Sequence, residues 1–251
     1  MIKTVYKIVS LVFLITFSDL GAVQNVLNQN DVILVDSLGS NKICFHRNMF
    51  LVDSSYYSII VNQIKQGIHS INTYIQVSNV EFRVLVFPER TIPRLGMSGA
   101  APNKHEIYLL LNPDHEKVYN SIENHIPATL AHEYHHTLRY RTVGYGDNLF
   151  EAIISEGLAD HFALQVIECD TLAWQTTLPD SEYFHWKNKA EKIWFKSDYD
   201  HLAWFIGLNS DIPRGTAYDI GFRIIADYLS RHQNVTAATL YDKSAKHFLT
   251  E

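Results

Sequence analysis

The stretch HEYHH, residues 132–136, limits what this 251-residue chain can become more than any other five positions. Three histidines and a glutamate are a poor choice for a helix that only has to pack. On a helix that turns about 100° per residue, His132 and His136 lie about 40° apart, one turn above the other, so both rings can reach one ion. Glu133 lies about 60° round from His136, near enough to touch a water on that ion without binding the ion itself. His135 falls on the opposite flank and is expected to be incidental, as are His125 and His161.

Catalytic zinc takes three protein ligands and keeps one position open, so a third side chain has to arrive from elsewhere. A glycine three places after His136 and a histidine three places beyond it would supply one; Arg139 and Thr142 stand there instead. Cys44 lies far upstream, and Cys169 lies past the end of the next predicted helix. That helix, over about 149–168, follows breaks at Gly144, Gly146 and Asp147 and can be capped by Asn148. It carries EGLAD, residues 156–160. Folded back antiparallel, it offers Glu156 as the third ligand. Asp160, one turn on, shares that face and can take the remaining ring N–H of a metal-bound histidine, His132 first, fixing its tautomer.

The rest of the chain supplies a frame. Ile59, Ile60, Ile64, Ile68 and Ile71 recur at helical spacing within 54–76. Val80 to Phe87 alternates and is β-branched, which predicts a strand stopped by Pro88. TIPRLGMSGAAPNKH reads as a loop, and EIYLLL, residues 106–111, as a second strand. Pro127 suits a first helical turn, so the histidine helix is expected over 127–142. Tyr218, Ile220, Gly221, Ile224, Ile225, Tyr228 and Leu229 form one apolar stripe. Strands come early and helices follow, which implies an α+β fold.

Partners and location follow from charge and from the first residues. A formal charge of −6, with no basic run beyond isolated pairs, leaves no electrostatic footprint for nucleic acid. Lys3 and Lys7 precede a ten-residue, largely apolar run and then small and polar residues, the order of an export signal over residues 1–22. The run is too short to span a bilayer, which takes about 20 apolar residues. The mature protein is therefore expected to be exported, without a membrane span, as one domain over 23–251. The two cysteines could pair only if the fold brings them together. The sequon at Asn234 is read as chance.

HEYHH, nineteen intervening residues and then EGLAD resemble the gluzincin metalloproteases, whose pattern is H-E-x-x-H followed on a second helix by E-x-x-x-D. AHEYHHTLR and EGLAD are similar, more particularly, to a largely bacterial family of predicted zinc-dependent proteases, over about Val80 to Ile225. The resemblance implies a mini-gluzincin fold: a small, mostly antiparallel N-terminal sheet against the active-site helix, then a helical C-terminal part. It implies one Zn²⁺ held by His132, His136 and Glu156, with Glu133 as general base, Asp160 supporting a ligand, and a peptide or protein substrate taken up along the sheet edge. Larger relatives use a downstream tyrosine or histidine to stabilise the oxyanion; Tyr218 fits best here, ahead of His201 and Tyr145. Two other readings stay open: a zinc hydrolase of non-peptide amides such as cell-wall crosslinks, and a binding protein that keeps the fold without turnover. An intact Glu133 speaks against the second.

Overall fold

In the computed structural model, residues 32–249 are described. The expected export signal, residues 1–22, lies outside them. Among the described residues no helix is long and apolar enough to cross a membrane.

The first elements are strands β1 (Val32–Leu38) and β2 (Asn41–His46), paired antiparallel across a tight turn that opens with Gly39 at φ +62°. Helix α1 (Ser55–Asn72) then crosses over to β3 (Glu81–Val86), which lies parallel to β2. Strands β4 (Met97–Asn103) and β5 (Glu106–Leu111) complete a five-stranded sheet in the order β1-β2-β3-β5-β4. The α+β segregation holds. The sheet is mixed rather than mostly antiparallel: β2-β3 and β3-β5 are parallel, and only the two edges are antiparallel. The α1 crossover is the reason, since returning over one face of the sheet brings the chain back in the same direction.

Two expectations need correction. The segment expected to be a loop contains β4, which poor strand formers (Gly99, two alanines and Pro102) disguise. It is an edge strand, where a proline's missing N–H costs no ladder bond. The histidine helix α2 runs Val118–Tyr140, so Pro127 lies inside it rather than at its start. Val118, Ile122 and Ile126 recur every fourth residue and are fully buried, and that burial extends the helix through the proline.

One core joins Phe82, Val84, Ile107 and Leu109 of the sheet to Ile60, Ile64 and Ile71 of α1 and to Leu130 and Tyr134 of α2. Helix α3 (Leu149–Ile167) follows α2, with the Asn148 side chain accepting from Glu151 N at 3.1 Å as its cap. Two shorter helices, α4 (Asp180–Glu191) and α5 (His201–Ile206), lead to α6 (Thr216–Arg231). Cys44 and Cys169 are both free thiols.

Buried Arg139 fastens α2 to α3. Its Nε donates to Ser155 Oγ at 2.8 Å, Nη2 lies 3.3 Å from Glu151 Oε2, and Nη1 donates to the carbonyl of Lys243 at 2.9 Å. Burial pulls the guanidinium down to about 10, and Glu151 opposes that shift. At the next interface, α3 and α6 touch backbone to backbone. A Cβ at Gly157 would lie 2.4 Å from the carbonyl of Gly221, and one at Gly221 would lie 2.1 Å from Ile153 O. The glycine of EGLAD thus serves helix contact, which accounts for a residue that otherwise weakens a helix. Gly157→Ala and Gly221→Ala should each cost about 1–3 kcal/mol of unfolding free energy by overpacking, read from the urea midpoint.

Candidate metal centre

The α2–α3 pairing brings three donor atoms together in a buried place. His132 Nε2 and His136 Nε2 are 3.1 Å apart; Glu156 Oε2 lies 3.1 Å from the first and 3.4 Å from the second. Tetrahedral zinc, with bonds of about 2.0–2.2 Å, sets its ligand atoms about 3.3–3.6 Å apart. The triangle is close to that size. Two imidazole nitrogens and one carboxylate oxygen also make a donor set for zinc-like ions rather than calcium or magnesium, which take oxygen. The three side chains could hold a metal ion.

Each candidate ligand has support. His132 Nδ1 lies 2.9 Å from Asp160 Oδ1, and because a carboxylate can only accept, the neutral ring carries its proton there and turns the lone pair of Nε2 toward the candidate site. Asp160 Oδ1 also accepts from Trp174 Nε1 at 3.0 Å, and the Trp174 ring meets His132 edge-on at 5.8 Å. Tyr145 donates its hydroxyl proton to Glu156 Oε1 at 2.6 Å, which leaves Oε2 directed at the histidines. The His136 ring meets Tyr145 edge-on at 5.3 Å, and its Nδ1 has no hydrogen-bond partner among the described residues.

Electrostatics match the crowding. Burial alone would lower the His132 pKa, but its hydrogen bonds to Asp160 and Glu156 outweigh burial and hold it well above the ordinary histidine range. Burial would raise Glu156, yet the charges and hydrogen bonds of His136 and His132 hold it well below. Glu133 is shifted up, chiefly by burial, with His132 and His136 opposing and Glu156 adding. It sits under β4, where a Cβ on Gly99 would lie 2.6 Å from its carboxylate.

A cleft of about 410 Å³ opens on this centre, lined by His132, Glu133, Asp160, Ser98, Gly99 and Tyr218 among others. Tyr218, expected as an oxyanion partner, is on its wall. Its hydroxyl is pushed well above the ordinary range by burial and by the carboxylates of Glu156, Asp160 and Glu133, so it keeps its proton. The two weaker alternatives do not line the cleft. Tyr145 is engaged by Glu156, while His201 stacks on Phe205 at 4.3 Å and bonds Tyr199. His135 is buried beneath α2 beside Phe162, and His161 stacks on Phe222 and reaches its carbonyl. Residues that sequence reasoning missed are Gly99, Trp174 and the bond made by Tyr145. Only GYG, a tyrosine between two chain-breaking glycines right after the histidine helix, signalled any of them.

Fold and site together define a mixed α+β protein with a two-helix His-His-Glu centre of the metal-binding type. The chain belongs to the family described as Predicted Zn-dependent protease (DUF2268), whose model matches residues 60–250. No curated protein matches the chain. Asp160→Ala should weaken zinc binding by about 10- to 100-fold, the usual cost of losing a carboxylate behind a histidine ligand. Tyr145→Phe should weaken it less; zinc titration against a competing chelator measures both.

Proposed function

We propose that the protein is a zinc-dependent peptidase in which Glu133 is the general base and Tyr218 the oxyanion donor. The observation behind this reading is that Glu133 lines the cleft beside His132, one corner of the His132, His136, Glu156 triangle. A metal-holding scaffold has no use for a buried carboxylate there. Family membership supports the zinc and the protease class.

Zinc bound by His132, His136 and Glu156 would polarise a carbonyl and bring the pKa of its water toward about 7. The residues of the chain do the rest. Glu133, its affinity for a proton raised by burial, takes the proton from the attacking water and returns it to the leaving amine. Tyr218, kept protonated, donates to the oxygen that becomes negative as the carbonyl turns tetrahedral. Asp160 and Tyr145 hold the ligands still. The free edge of β4 runs past Glu133 with Gly99 at the closest approach, so an extended peptide adding to that edge would bring its backbone to the reacting centre. Export through residues 1–22 would put this activity outside the cytoplasm.

The zinc-loaded protein should cleave peptides and stop when a chelator removes the metal. Glu133→Gln should retain its zinc by elemental analysis while hydrolysis falls by about 10²- to 10⁴-fold; hydrolysis at the parent rate would remove Glu133 from its role. Tyr218→Phe should lower kcat by about 10²- to 10³-fold with little change in KM.

A further inference from the structure

Two arginines stand at the cleft, and the hydrolytic chemistry uses neither. Arg94 and Arg214 both line it, on opposite sides of the sequence from the metal-type centre. Among the described residues neither is paired with a carboxylate. Arg94 Nη2 donates to the backbone carbonyl of Gln175 at 3.0 Å, and its guanidinium also feels the like charge of Arg214. A like-charged pair without a counter-ion is unusual in a chain with a formal charge of −6, where acids outnumber bases.

Both side chains start from rigid turns. Around Arg94, Gly96 takes φ +65° with its N–H on Ile92 O at 2.9 Å. Ser121 Oγ ties down Leu95 O at 2.8 Å, and His115 Nε2 ties down Pro93 O at 2.7 Å. Arg214 precedes Gly215, which takes φ +80° and has no room for a Cβ beside Thr176. Gly215 N donates to Phe205 O at 3.1 Å, and Thr216 Oγ1 donates to Pro213 O at 2.7 Å. Tyr218 follows four residues after Arg214 on α6. Both exposed side chains therefore leave from ordered backbone at the cleft, which limits where their guanidinium groups can reach.

The centre itself is rich in anions: Glu133, Glu156 and Asp160 are all buried there. Alone they would repel a negatively charged substrate. Arg94 and Arg214 add positive charge to the cleft wall, and guanidinium groups bind carboxylates with two parallel hydrogen bonds. The same cleft also carries apolar wall from Leu95, Met97, Trp174, Phe205 and Phe222.

We infer that Arg94 and Arg214 form a carboxylate-recognition subsite, so that the preferred substrate carries an anionic group, a free C-terminus or an acidic side chain, together with an apolar residue. The inference rests on the peptidase reading and deepens it. Three matched pools of eight-residue peptides test it: neutral with amidated C-termini, the same with free C-termini, and amidated with one glutamate scanned through the positions. The zinc-loaded protein should favour at least one carboxylate-bearing pool over the neutral one by about 10- to 100-fold in kcat/KM, the range for charge-assisted hydrogen bonds. In Arg94→Gln combined with Arg214→Gln that ratio should fall toward one, and the lysine variants should restore part of it. Preference for free C-termini identifies a trimming enzyme, and preference for the glutamate pool identifies acidic sequences. Equal cleavage of all pools, or a ratio unchanged in the double variant, overturns the inference. If no pool is cleaved, the peptidase reading fails. Binding of the same pools to the zinc-loaded Glu133→Gln protein then decides the subsite by itself, and equal affinity for neutral and anionic pools rejects it.

Discussion

Three electron-pair donors held 3.1–3.4 Å apart away from solvent repel one another unless a cation or a shared proton lies among them. Much of the architecture can be understood as what keeps His132, His136 and Glu156 in that arrangement. The fastening of α2 to α3 through Arg139 fixes the distance between the helices that carry them. Asp160, Trp174 and Tyr145 then fix the rotation of the side chains. Buried polar groups of this kind are costly unless each is satisfied, so the network specifies one geometry rather than a family of them.

The sheet plays a different part. Its core strands, β2, β3 and β5, are buried against α1 and α2 and give the histidine helix a rigid bed. Its edge strand β4 carries small residues toward the centre. That division, bulky residues for stiffness and small ones for access, explains why the most strand-like sequences lie farthest from the chemistry. The C-terminal helix α6 closes the other side, brought to backbone contact with α3 by Gly157 and Gly221.

The centre was more legible in the sequence than the frame around it. His132, His136, Glu156 and Asp160 follow from helical spacing, because side chains four apart share a face whatever the rest of the fold does. The contact of Asp160 with His132 could be anticipated for the same reason. Local propensity hid β4, since Gly99, Ala100, Ala101 and Pro102 are poor strand formers that only pairing with β5 makes extended. Pro127 is tolerated inside the helix because burial of Val118, Ile122 and Ile126 in the core shared with α1 and the sheet outweighs a lost helical bond. The β1–β2 hairpin carries a weak signal, two short apolar runs on either side of Gly39-Ser40. Contacts such as Tyr145 with Glu156 depend on the path of a loop, which no periodicity encodes.

Arg139 also reaches the carbonyl of Lys243, and Glu151 accepts from Ala245 N at 3.0 Å, so the segment around residues 243–245 is bolted to the two helices that carry the candidate ligands. Without that strap the chain would keep His132, His136 and Glu156 yet lose a fastening between the helices that carry them, so metal capture draws on a segment distant in sequence from every candidate ligand.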